Sequence, residues 1–190
     1  TGRGRVSLLS PADVVTLDPT TAHPCLVLSE DCRSVRWGGA YENKPINPDR
    51  FTTWACVLGR EGFTEGRHCW VVEVEGMVGG FSCWAFGVAR KSVEKKGKLE
   101  MTPEEGVWGL QNWDWKFEAL TSPRTPLSSF LVPSRIWVCV DCTEGLVTFI
   151  NADSGAEIFT FPPAPFDGEI RPWFWVGRKR TQLCIGGSSS

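Results

Sequence analysis

The residues that could do chemistry in this chain of 190 are two histidines, eight cysteines and a Trp-Asp-Trp triplet. His68 and Cys69 have the residue types of a thiol–imidazole dyad, but adjacent residues on an extended strand point to opposite faces, so the two side chains diverge. The sequence contains no Gly-x-Ser-x-Gly elbow, no His-Glu-x-x-His, no phosphate loop and no dinucleotide fingerprint. Gly76-Met-Val-Gly-Gly80 supplies glycines without the Lys-Ser/Thr that would grip a phosphate. We therefore expect neither catalysis nor a cofactor. Cys139-x-x-Cys142 is the one close cysteine pair, whereas a zinc site would want a second pair or histidines beyond His23 and His68. The other cysteines sit mostly in apolar runs such as Trp54-Ala-Cys-Val-Leu58, where a thiol behaves as a small buried hydrophobe. With no Asn-x-Ser/Thr acceptor either, the expectation is reduced thiols, no metal and a cytoplasmic setting.

Trp113-Asp114-Trp115 lies in Leu110-Gln-Asn-Trp-Asp-Trp-Lys-Phe117. Two Trp one residue apart share a face if the backbone is extended. Gln111, Asn112, Asp114 and Lys116 interleave them, so the segment has two readings. Either the indoles pack into the core, as Trp usually does, or at least one of them stands at the surface. An exposed indole flanked by amides suits a peptide or a sugar ring, since both offer apolar faces with polar edges. Arg90-Lys91 with Lys95, Lys96 and Lys98 is ringed by Glu94, Glu100, Glu104 and Glu105 and reads as a solvated turn. Arg178-Lys179-Arg180 is a second basic cluster, and a formal charge of −2 argues against a nucleic-acid partner.

The elements that must position these residues are short. Twenty Gly and 13 Pro leave no stretch free of both longer than 13 residues, which suits strands better than helices. Ten Trp and 11 Phe within 42% hydrophobic residues supply a core for one domain of this length. β-like runs are predicted at 14–17, 25–29, 34–37, 54–58, 68–74, 82–88, 135–140, 146–150, 157–161, 173–176 and 182–185. Runs 68–74 and 82–88 flank a glycine-rich stretch and read as a hairpin, as do 135–140 and 146–150 around Thr143-Glu144-Gly145. The fold class is all-β: a distorted, jelly-roll-like antiparallel β-sandwich of two sheets with short helical turns at most. Residues 1–10 read as the end of a linker and 186–190 as a flexible tail. No apolar run is long enough to span a membrane, so no membrane contact is expected.

Several segments are similar to a known family. Ala12-Asp-Val-Val-Thr-Leu-Asp-Pro19, Thr21-Ala-His-Pro-Cys-Leu-Val-Leu-Ser-Glu-Asp31 and Arg33-Ser-Val-Arg36 resemble the PRY segment. Gly66-Arg-His-Cys-Trp-Val-Val-Glu-Val74, Phe86-Gly-Val-Ala-Arg90, Thr102-Pro-Glu-Glu-Gly-Val-Trp108 and Arg171-Pro172 resemble SPRY. The chain thus resembles the PRY-SPRY domain of tripartite-motif (TRIM) proteins and butyrophilins, with PRY over 11–63 and SPRY over 64–185 forming one domain. The resemblance implies a protein-interaction module that binds a protein or peptide through loops at one end of the sandwich. It places the partner-binding residues at Tyr41, Asn43, Ala85, Gln111, Asn112, Trp113, Trp115 and Arg178. In a TRIM-type parent such a domain would select substrates for a RING ubiquitin ligase in innate immunity or protein turnover. The alternative is the cytoplasmic ligand-sensing tail of a butyrophilin, to whose organophosphate pocket His68 and Arg124 could contribute, or, further off, a lectin-like sugar binder.

Overall fold

The computed structural model describes residues 12–76, 82–127, 132–177 and 181–186. Thirteen strands run through them: β1 (Leu26–Leu28), β2 (Ser34–Trp37), β3 (Cys56–Leu58), β4 (Arg67–Gly76), β5 (Trp84–Arg90), β6 (Val107–Trp113) and β7 (Lys116–Ala119), then β8 (Thr125–Pro126), β9 (Arg135–Asp141), β10 (Leu146–Asn151), β11 (Glu157–Thr160), β12 (Ile170–Val176) and β13 (Thr181–Ile185). They form an antiparallel seven-stranded sheet ordered β1-β2-β13-β4-β9-β10-β11 and a six-stranded sheet ordered β3-β12-β5-β6-β7-β8. A single 3-10 turn at Pro103–Glu105 is the helical structure among the described residues. The all-β sandwich expected from the breaker spacing is the observed architecture. The linker and tail expected at 1–10 and 186–190 fall, but for Gly186, outside the described residues.

Period-two alternation fills the space between the sheets. Trp70 and Val72 of β4, Val138 and Val140 of β9 and Phe149 of β10 meet Trp84 and Phe86 of β5, Leu110 of β6 and Phe174 of β12 in one buried cluster. Trp84 and Phe86 stack with centroids 5.0 Å apart, and Phe86 continues to Phe149 at 6.5 Å, so aromatic contacts bridge the sheets. The outer face of the six-stranded sheet is also covered. Val93, Leu99 and Met101, from the segment between β5 and β6, bury Trp173, Ala85, Ala89 and Val107 in a second cluster. Trp173 is the register partner of Gly87, which in turn opposes Gly109 across β5 and β6. A Cβ on Gly109 would come within 2.8 Å of the Phe86 carbonyl oxygen and 3.0 Å of the Trp173 ring.

Three expectations change. Runs 68–74 and 82–88 do not form a hairpin: β4 pairs with β9 and β13, β5 with β6 and β12, and the chain crosses between sheets from one to the other. Glycine spacing marks where a chain can turn but not which neighbour it joins. The run at 14–17 makes a single bridge, Leu17 to Gly59, because its backbone is spent on Glu61 and Cys32 rather than on a strand. The first basic cluster is not a solvated turn throughout. Lys95 is buried and donates from Nζ to the Lys91 and Val93 carbonyls at 2.6 and 3.2 Å, while Lys96 donates to those of Asn47 and Arg50. Burial holds the Lys95 ammonium below the usual lysine range. By contrast, β9 and β10 form the hairpin expected around Gly145, whose φ of 67° is one that glycine adopts without strain.

Because Gly109 has no room for a methyl group, Gly109→Ala is expected to destabilise the chain by about 2 kcal/mol or more, read as a lower urea midpoint at unchanged slope.

Candidate partner-binding surface

β6 and β7 pair from Leu110 opposite Ala119 to Trp113 opposite Lys116, which leaves Asp114 and Trp115 as a two-residue turn. Both turn residues have positive φ, 51° and 63°, the combination that matches the twist of a tight hairpin and is ordinarily met with Asn-Gly. The backbone is therefore not extended through the triplet. Trp113 ends β6 and Trp115 sits on the turn, and the two indoles are 50% and 61% exposed. Of the two readings open in the sequence, the structure takes the exposed one, by a turn rather than by alternation. A bulky residue in the left-handed region costs roughly 1–2 kcal/mol, so the turn carries strain at its tip.

A buried polar knot holds the base of this hairpin. Asn112, 1% exposed, donates from Nδ2 to the Ser82 hydroxyl at 2.8 Å and to the Ser82 carbonyl at 3.1 Å. Trp84 Nε1 donates to the same hydroxyl at 3.2 Å, and the Cys83 amide donates to Thr181 Oγ1 at 3.4 Å. The entry to β5, the end of β6 and the start of β13 are thus tied at one point beneath the exposed indoles. Asn112 is consequently a support and not a surface residue, which corrects its expected place. Ala85 is corrected likewise: it is fully buried on the outer face, opposite Trp175 and Gln111. Gln111 is half-buried and faces Glu118 across β6 and β7, so an acid borders the surface there. Ser82 and Thr181 were missed in the sequence, where an isolated hydroxyl at a strand end carries no signal.

Tyr41 and Asn43 lie exposed on the segment after β2, Tyr41 at 70%. Tyr41 meets His23 edge-on at a centroid distance of 6.4 Å, and His23 stacks on Trp37 at 6.4 Å. Burial holds the His23 imidazole below its usual range, against a hydrogen bond involving the Thr52 backbone that raises it. The Cys25 amide donates to His23 Nδ1 at 3.1 Å, which requires that nitrogen to be unprotonated. β2 and β13 run side by side with Arg36 opposite Gln182, so Trp37 lies at the same end of the sandwich as Thr181. Arg178 lies outside the described residues. His68 and Arg124, named for an organophosphate pocket, are each engaged elsewhere. His68 Nδ1 is 3.0 Å from Asp13 Oδ1 and Nε2 is 2.7 Å from the Glu65 carbonyl oxygen at the far end of β4, whereas Arg124 donates to the Met101 carbonyl beside β8. No group of three or more His, Cys, Asp and Glu that could hold a metal ion occurs among the described residues, and none of their helices is long and apolar enough to cross a membrane.

A two-sheet sandwich with an exposed aromatic turn at one end defines a class that comparison with known proteins makes specific. Residues 15–63 match the family PRY (SPRY-associated domain) and residues 67–188 match the SPRY domain. Butyrophilin subfamily 1 member A1 of Bos taurus is 45% identical over 90% of this chain and 32% of its own length. The mouse E3 ubiquitin-protein ligase TRIM58 is 41% identical over 85% of this chain and 33% of its own. The chain therefore spans about a third of the length of the curated relatives it matches. Among solved structures, the TRIM65 PSpry domain superposes with a TM-score of 0.74 at 22% identity, covering 95% of this chain and 93% of that one. The chain belongs to the PRY-SPRY domain family, of the kind found in butyrophilins and TRIM proteins. Such a domain is a protein-interaction module and not a catalyst.

Replacing Trp115 by Gly is expected to raise the unfolding free energy by about 0.5 kcal/mol or more, because relief of the left-handed strain outweighs the added freedom of the unfolded chain; chemical denaturation checks it. Because folding depresses the His23 pKa, the unfolded state binds the proton more tightly, and stability falls as pH drops below about 6.5. An NMR titration should show His23 protonating below that value, with the Trp37 and Tyr41 resonances moving in step.

Proposed function

We propose that this chain recognises a partner protein or peptide through the end of the sandwich that carries the β6–β7 turn. Trp113 and Trp115 are the anchors, with Gln111, Tyr41, Asn43 and Arg178 as the further contacts. One observation carries this reading: two large indoles, each half-exposed or more, are held out on a strained turn whose base is locked by buried hydrogen bonds. A Trp fixed in advance loses little conformational freedom on binding, which is why Trp is enriched at interface hot spots. Ala85 and Asn112 act from beneath, by setting the position of the strands that end there.

In a TRIM-type parent, the domain would deliver substrates to a RING ubiquitin ligase. The similarity to butyrophilins supports a second reading, a domain on the cytosolic side of a membrane protein that senses a protein partner. Small-anion sensing has less support, since His68 and Arg124 are engaged in different places and Glu118 borders Gln111.

Affinity capture with the wild-type chain beside a Trp113→Ala, Trp115→Ala variant of matched melting temperature tests the reading. At least one partner should be lost with the variant, its affinity falling by about 2 kcal/mol, roughly thirtyfold. Identical partner sets and affinities would overturn the assignment.

A further inference from the structure

Cys69 of β4 and Cys139 of β9 are direct register partners in the seven-stranded sheet. The Cys69 amide donates to Asp13 Oδ2 at 2.8 Å, and the Cys69 carbonyl accepts from the Asp13 amide at 2.7 Å. Both backbone groups of Cys69 thus serve Asp13, on the side of β4 away from β9. The Val74 amide, an odd number of residues along, donates instead to the Ser134 carbonyl on the β9 side. Cys69 and Cys139 are therefore a non-hydrogen-bonded pair, the kind in which Cα atoms lie about 4.5 Å apart and the side chains approach most closely. That separation falls at the short end of the range that a disulfide spans, about 4.4–6.8 Å. Trp70 and Val138, their neighbours, point into the core, so both thiols point to the outer face, where they share a small cluster with Ile150 and Trp137. Among the described residues no other two cysteines are opposed in this way: Cys56 faces Trp175, and Cys184 faces Ser34 and Glu73.

We infer that Cys69 and Cys139 form a reversible cross-strand disulfide when the chain meets a peroxide. One sulfur attacks the peroxide O–O bond; that bond breaks, the thiol proton leaves with the departing hydroxide as water, and a sulfenic acid remains. The second sulfur displaces the sulfenic oxygen: the S–S bond forms, the S–O bond breaks, and the second thiol proton leaves with that oxygen as water. Two thiols are oxidised by two electrons and one hydrogen peroxide is reduced to two waters. Exchange with an external thiolate would restore both thiols, which makes the link reversible. The bond would tie β4 to β9 towards the end remote from Trp113.

The purified chain is treated with hydrogen peroxide, quenched with catalase, capped with N-ethylmaleimide and mapped by mass spectrometry without reductant. The expected product is a peptide pair joining Cys69 to Cys139, two hydrogens lighter than its parts and split by dithiothreitol. It should be missing from both Cys69→Ala and Cys139→Ala. If either variant fails to fold, the wild-type map decides alone. Recovery of both cysteines as maleimide adducts or sulfinic acids while Cys142 or Cys184 is oxidised, or linkage of either to another cysteine, would overturn the inference.

Discussion

Burial of the Ser82 hydroxyl is the constraint on which the exposed end of this domain depends. A buried hydroxyl or amide left without a partner costs about 1–3 kcal/mol, so Asn112, Trp84 and Ser82 each hold the others in place. The Thr181 contact adds β13 to the same point, and with it the strand that runs beside β2 and the Tyr41 segment. Three strands from two sheets are thereby fixed within hydrogen-bond reach of one another. The strain at Asp114 and Trp115 persists because the hairpin below it cannot shift its register without breaking these bonds.

The framework and the exposed tip obey different rules. The interior is aromatic and closely packed on both sides of the six-stranded sheet, with Gly109 leaving room for the Trp173 ring. Such positions accept few substitutions. The residues offered at the tip, by contrast, contribute little to the core. The likeness of fold with the TRIM65 domain at 22% identity shows that the same framework is built from a largely different sequence.

Much of this architecture was legible in the sequence, and what was not has physical causes. β2 could be read because Gly38 ends it, and the β9–β10 hairpin because Gly145 supplies a positive φ. The crossing of the chain between β4 and β5 could not be read, since the same glycines serve a hairpin or a change of sheet. Nor could the turn after Trp113, which places Asp and Trp where glycine is the usual signal. Ala85 is buried because the segment carrying Val93, Leu99 and Met101 roofs the sheet. Alternation within a strand reveals two faces but not whether the outer one is covered.

The strands before residue 63 do not form a layer of their own: β1 and β2 extend one sheet, while β3 pairs with β12 at the edge of the other. Cutting the chain between the PRY and SPRY segments would therefore strip an edge from each sheet at once and expose Val35 and Val57 together. Neither sheet is complete in the residues before 63 or in those after them, so each part supplies the other's missing edge.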